Sequence, residues 1–191
     1  MVLTNDARLA KRIRRLRTHG ITGDAEDMHP RAPEEIWNYQ QIDLGFNYRM
    51  TDIQAALGMS QMRRLNEFVA KRHSLALRYD ELLANIPVVT PWQHREGYSG
   101  YHLYVTRLKL GEISKTHREV FEALRTAGII VNLHYIPVYR HPYYADLGFE
   151  AGHCPEAERH YSEAISLPLY PGLTESQQDK VIATLRQVTA K

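Results

Sequence analysis

Cysteine is almost absent from this chain: Cys154 stands alone among 191 residues. No internal disulfide can form, which fits a reducing compartment and removes a disulfide framework from consideration. No apolar run is long enough to cross a bilayer, and Met1–Gly20 contains no apolar signal core. The expected location is cytoplasmic, with no membrane partner. An excess of one charge is missing too. The formal net charge is +2, too small for the strong positive field that nucleic-acid binding needs. The chain has no Gly-rich phosphate loop, no Cys/His spacing suited to zinc, no nucleophile elbow and no internal repeat. What remains is an ordinary globular balance, 43% hydrophobic and 24% charged, enough for one domain or one domain plus a piece of another.

Apolar periodicity supplies the elements. After the short apolar run Val2–Thr4, Asn5 or Asp6 is placed to cap a helix whose Leu9, Ile13 and Leu16 form one stripe and whose stop is Gly20. The helix carries Arg8, Lys11, Arg12, Arg14, Arg15 and Arg17; its basic face reads as a solvated helix face, with phosphate or nucleic-acid binding as the alternative. Residues 21–46 read as loop, interrupted by Gly23, Pro30 and Pro33 and carrying Trp37, Tyr39 and Phe46. A loop of that length inside a compact domain often has a binding role. Thr51-Asp52-Ile53-Gln54 is a capping box. It opens a long helical pattern with Ile53, Leu57, Leu65, Phe68 and Val69 on one side, which bends and ends before Pro87. Strands are expected at Tyr101–Leu110 and Ile129–Leu133, with a helix from about Lys115 to Ala127 between them. Pro155 suits the first position of a short helix, Leu167–Tyr170 reads as extended, and Thr174–Gln177 caps a final helix. Two strands separated by a helix imply a small α/β sandwich.

Three stretches concentrate chemistry. Gly45–Met50 places Asn47 and Arg49 beside the free N–H groups of a helix start, which suits a phosphate. On spacing alone Asn47 equally suits a turn, and Arg49 an ion pair. His134–Tyr144 packs two His, four Tyr and one Arg into one segment, a composition suited to a polar, aromatic pocket or to half-buried aromatics. His134 and His141 have no carboxylate or cysteine at ligand spacing, so no metal site is expected. Trp37–Gln41 is a loop that suits contact with a sugar or base.

At Gly45–Gly58, GFNYRMTDIQAALG, the chain resembles the sugar aminotransferases of the DegT/DnrJ/StrS family. The likeness extends over Val2–Gly20, over Val131–Tyr144 (VNLHYIPVYRHPYY) and over Ile165–Thr174 (ISLPLYPGLT), in the family's order. Trp37-x-Tyr39 and the His134–Pro137 run are most similar to the transaminases of pseudaminic acid biosynthesis, which act on a UDP-linked 4-keto-6-deoxy-hexosamine. The resemblance implies fold type I of the enzymes that use pyridoxal phosphate (PLP). Residues 1–20 are then the last strand and helix of the large PLP-binding domain, 21–50 a connecting and active-site loop, and 51–191 the small C-terminal α/β domain. It further implies that Asn47 reaches the PLP phosphate of the neighbouring subunit in a homodimer, that Arg49 pairs with the sugar-nucleotide diphosphate, and that His134, Tyr135 and Tyr139 approach the substrate. At Tyr139 many relatives carry His. An amino acid, glutamate by expectation, donates the amino group. The alternative is a non-catalytic sugar-nucleotide binding or dimerisation module.

Transamination needs a lysine amine to hold the cofactor and to move a proton. The lysines here are Lys11, Lys71, Lys109, Lys115, Lys180 and Lys191, and none follows a Ser/His-rich turn before a Gly-rich stretch. The chain is expected to be catalytically incomplete alone. After incubation with PLP and reduction with borohydride, peptide mass mapping should find no stable pyridoxyl group on any of the six. A modification at one of them that survives dialysis before reduction would overturn this.

Overall fold

A computed structural model describes residues 2–30 and 39–190. By contact the chain forms two compact units, Met1–Arg63 and Arg64–Lys191. In the first unit, α1 (Ala7–Leu16) starts at Asp6, whose carboxylate accepts from the backbone N–H groups of Arg8 and Leu9. The stop is the expected one: His19 and Gly20 both take positive φ, and Gly20 ends the turn. The stretch expected to be loop contains a two-residue pairing, β1 (Ile21–Thr22) antiparallel to β2 (Gln40–Gln41). Trp37 and Asn38 lie outside the described residues. The capping box at Thr51 is formed, with the Thr51 hydroxyl accepting from the Gln54 N–H and the Gln54 side chain accepting from the Thr51 N–H. It opens α2 (Asp52–Met62).

The second unit starts with α3 (Leu65–Leu83). The expected bend therefore falls at Arg63–Arg64, and by contact α2 groups with the first unit. No residue of α2 is buried, so its apolar side joins no core. Three antiparallel strands follow in the order β3 (Val88–Val89), β4 (Tyr104–Leu108), β5 (Ala164–Leu167). Helices α4 (His117–Thr126), α5 (Pro142–Ala145), α6 (Pro155–Glu163) and α7 (Glu175–Thr189) complete the unit. Pro155 is the first residue of α6, and Thr174 caps α7 with Gln177 as its reciprocal partner. The α/β class holds, with three corrections. Ile129–Leu133 alternates buried and exposed but is not a strand: the Val131 N–H donates to Ile129 O, a tight local turn, and only Asn132 bridges to Ser166. The last strand runs Ala164–Leu167 instead of Leu167–Tyr170, because Pro168 has no N–H to extend the ladder. The pair Val88–Val89 is too short for any period to announce it.

The core of this unit is one cluster. Leu75, Tyr79 and Leu83 of α3 meet Tyr104 and Leu108 of β4, Val120 and Leu124 of α4, Ile165 and Leu167 of β5, and Val181 and Leu185 of α7. Its polar atoms are tied down. The Tyr104 hydroxyl donates to the Asp80 carboxylate at 2.5 Å, the Tyr79 hydroxyl to Pro168 O at 3.0 Å, and Gln178 Nε2 to Leu75 O at 2.9 Å. Burial, then the Asp80 carboxylate, pushes the Tyr104 phenol far above its ordinary range. Arg72 Nη1 donates to the carbonyls of Tyr101 and Leu169, both at 2.9 Å, stitching α3 to the segments that flank β4 and β5.

Large apolar side chains crowd the surface of the first unit: Leu44 is 89% exposed, Ile53 83% and Tyr48 75%, with Met50, Leu57 and Met59 nearby in sequence. So much apolar surface on one short stretch favours association. Size-exclusion chromatography with light scattering should give a species heavier than 22.1 kDa, and Ile53→Lys with Leu57→Lys should return it toward the monomer. A monomer in both cases would refute it.

Candidate functional site

Asn47 and Arg49 belong to the first unit, and the end of α1 holds their loop. The His19 N–H donates to Phe46 O at 2.8 Å, the Phe46 N–H to Leu16 O at 2.6 Å, and the Tyr48 N–H to Arg17 O at 3.0 Å. Thr18 bridges to Asn47 itself. This zipper requires two glycines. A Cβ on Gly45 would collide with Gly20 N, and a Cβ on Gly20 would collide with Asp43 O. The Phe46 and Tyr48 rings stack at 5.0 Å. Asn47 and Arg49 are both exposed, and Arg49 Nε donates to Asn47 Oδ1 at 3.4 Å. Neither side chain has an ion pair among the described residues, so the ion-pair reading of Arg49 finds no partner there. The amide N–H₂ of Asn47 and the Arg49 guanidinium are left as donors just ahead of the capped start of α2.

The basic helix behind this loop is partly neutralised. Lys11 Nζ lies 3.1 Å from Asp24 and 2.8 Å from Asp27, and Arg15 pairs with Asp27 at 2.7 Å and with Asp43 at 3.3 Å. The Lys11 ammonium holds the Asp27 carboxyl below its ordinary value, while Asp27 and Asp24 raise Lys11. These pairs bind the 24–27 and 43 segments to the helix. They also remove two of the cations that a nucleic-acid surface would use.

The other three residues lie in the second unit. His134 is half-buried, and its Nδ1 sits 2.7 Å from the Ser166 hydroxyl on β5. Tyr135 is 68% exposed, and its ring meets His134 edge-on at 4.6 Å. Tyr139 is half-buried. Its hydroxyl donates to Glu158 at 2.5 Å and accepts from the Cys154 N–H at 3.3 Å, and the same Glu158 oxygen accepts from the Gly152 N–H at 2.7 Å. Tyr139 thus clasps the 152–154 turn to α6. The structure brings together Asn47 with Arg49 and His134 with Tyr135, and it engages the Tyr139 hydroxyl within its own unit. Ser166 and Glu158 escaped the sequence reading. A lone hydroxyl inside the buried run Ala164–Leu167 was a usable signal. Glu158 in the first turn of a helix was not, because acidic residues favour that position anyway.

The model of the DegT/DnrJ/EryC1/StrS aminotransferase family matches residues 1–186. The chain belongs to that family. The spore coat polysaccharide biosynthesis protein SpsC of Bacillus subtilis is 34% identical over 191 residues, covering 98% of this chain and 49% of SpsC. The protein MJ1066 of Methanocaldococcus jannaschii is 31% identical over 193 residues, covering 100% of this chain and 50% of its own length. Among solved structures, Spr1654 of Streptococcus pneumoniae, assigned as a sugar aminotransferase and solved in its PMP form, superposes with a TM-score of 0.85. It is 30% identical, over 97% of this chain and 46% of Spr1654. PseC of Helicobacter pylori, an aminotransferase of pseudaminic acid biosynthesis, gives 0.84 at 25% identity over 97% of this chain and 47% of PseC. The chain spans about half the length of the relatives it matches, and its α/β structure follows the corresponding part of these fold type I transferases. Among the described residues no helix is long and apolar enough to cross a membrane.

The clasp responds to acid in a defined direction. The Tyr139 hydroxyl, then the Gly152 N–H, lowers the Glu158 carboxyl from its ordinary value. A depressed carboxyl contributes stability above its unfolded value, about 4.3, and loses it as pH falls through the folded value. Hydrogen exchange should therefore show the Gly152 amide protected at neutral pH and released on acidification below the ordinary glutamate range. Tyr139→Phe and Glu158→Gln should each speed its exchange at pH 7. Unchanged exchange in both variants would remove the clasp.

Proposed function

We propose that this chain forms the C-terminal half of a PLP-dependent nucleotide-sugar aminotransferase, catalytically incomplete by itself. The observation that carries the reading is the exposed Asn47–Arg49 donor pair, held by the Gly20–Gly45 contact ahead of a helix start in a chain of the aminotransferase family. That donor set fits the phosphate end of PLP: a neutral amide beside a guanidinium, with helix N–H groups and dipole favouring an anion. No lysine of the sequence follows a Ser/His-rich turn before a Gly-rich stretch, the context of the cofactor lysine. Lys11 is held by two aspartates, Lys109 by Glu112 at 3.6 Å, and Lys115 donates to Val188 O at 3.3 Å. Residues 1–20 belong with the large domain in this reading, 21–50 with the active-site loop, and the remainder with the small domain.

When bound, PLP supplies the electron sink through which an amino group moves. The residues of this chain bind and orient. Asn47 donates to the cofactor phosphate of a partner subunit, so each site of the homodimer draws on both copies. Arg49 offers its planar fork to the diphosphate of the sugar nucleotide. His134 and Tyr135 face the sugar. Tyr139 acts at a distance by fixing the 152–154 turn. The similarity to PseC and the His134–Pro137 run support a UDP-linked 4-keto-6-deoxy-hexosamine as acceptor, with glutamate as donor. A non-catalytic sugar-nucleotide binding or dimerisation module is the second reading.

The test joins this chain to the half of SpsC that it does not span. Amino transfer to the sugar nucleotide should appear only in the joined protein. Asn47→Ala should weaken PLP retention by about 1–3 kcal/mol, one hydrogen bond to a charged group, with KM little changed. Arg49→Ala should raise KM for the sugar nucleotide and leave the cofactor spectrum alone. An Arg49→Ala protein that melts early yet binds substrate normally would assign Arg49 to the fold. Sugar-nucleotide binding without any transfer would favour the second reading.

A further inference from the structure

His134 is held by one atom of the core. Ser166 lies in the middle of β5, is 5% exposed, and is fixed on both sides: its backbone pairs with Val105 of β4, and its N–H donates to Asn132 O at 2.8 Å. Its hydroxyl stands 2.7 Å from His134 Nδ1 and has no other hydrogen-bonding neighbour among the described residues. The geometry points to Ser166 as a positioning residue that locks neutral His134 as the Nε2–H tautomer.

The argument is one of satisfied valences. A serine hydroxyl has one proton to donate, and a neutral imidazole has one nitrogen that donates and one that accepts. If Nδ1 carried the proton it would donate to the hydroxyl oxygen, and the buried hydroxyl proton would have no acceptor. If the hydroxyl donates to Nδ1, both groups are satisfied and the imidazole proton sits on Nε2. Buried polar groups in native proteins are almost always paired, so the second arrangement prevails. The Tyr135 ring packed edge-on against the imidazole adds a steric limit on rotation. Nε2 is then an N–H donor. Granting the proposed function, in which His134 faces the sugar, this side chain donates to an acceptor oxygen of the ligand and is not the group that takes a proton from it.

Nitrogen-15 NMR of the 191-residue chain tests this at a pH of about 8.5, above the ordinary imidazole range, with the His134 signals assigned through His134→Gln. The wild type should show Nε2–H over Nδ1–H by about tenfold or more, the weight of one hydrogen bond. Ser166→Ala should lower that ratio severalfold, and Ser166→Thr, which keeps the hydroxyl, should restore it. A wild type with Nδ1–H in the majority overturns the inference, whether or not Ser166→Ala folds. A ratio unmoved in folded Ser166→Ala overturns it too. UDP-N-acetylglucosamine then serves as a probe. If it leaves the His134 Nε2 signal in place while the tautomer stands as expected, the substrate-facing role of His134 fails and the lock by Ser166 stands.

Discussion

Strand β5 leaves none of its four residues to water, and the second unit depends on that. Ala164, Ile165, Ser166 and Leu167 are all buried. β4 occupies one edge of the strand and Asn132 the other. A strand closed on both edges has no slack in register, because a one-residue slip would exchange the sides on which Ile165 and Ser166 point. The Thr106 hydroxyl donating to Ile165 O at 3.1 Å reinforces the same register from within the core. His134 therefore takes its place from the best-packed part of the molecule, although it belongs to an irregular segment.

The loop at Asn47 is built on the opposite principle. Almost nothing around it is buried, and its placement rests on backbone hydrogen bonds to the end of α1, made possible by two glycines that let the chains touch. The ion pairs from Lys11 and Arg15 hold neighbouring segments to the same helix. Surface pairs of this kind contribute little individually; here they converge on one helix face and share Asp27. The role of α1 is then to give the 43–48 segment a fixed partner, with Arg15 taking part through Asp27 and Asp43.

Much of this was legible in the sequence, for physical reasons that differ from case to case. The caps at Thr51 and Thr174 and the proline at the start of α6 were readable because they depend only on residues within one turn. The same pattern at Thr116–Glu119 also forms a capping box and went unread beneath a broader helix boundary. Ile129–Leu133 misled because its alternation of buried and exposed residues is real, while a strand needs a partner over several residues and β5 meets it at one. The α2 side misled in the reverse sense: periodicity shows which residues share a face but not whether anything covers it. The candidate residues were found chiefly through resemblance to a family. Their partners, Ser166 for His134 and Glu158 for Tyr139, are set by tertiary contacts across 32 and 19 residues, which no local pattern encodes.

The meeting of Gly20 with residues 42–45 has a consequence for how this chain tolerates change in length. Gly20 O accepts from the N–H groups of Ile42 and Asp43, so the excursion that leaves at residue 21 is tied shut at its base before Asn47 is reached. Lengthening a closed loop is entropically cheap, about 0.6 kcal/mol for each doubling, and the strain of an insertion ends at the tie. A change of length between Thr22 and Gln40 is therefore absorbed ahead of the tie without displacing Asn47, provided Asp24 and Asp27 keep their pairs with Lys11 and Arg15. A single added residue between Gly45 and Asn47 would carry the asparagine out of register with Thr18. Within the same fifty residues the chain joins a stretch whose length the tie isolates to one whose spacing is fixed to the residue.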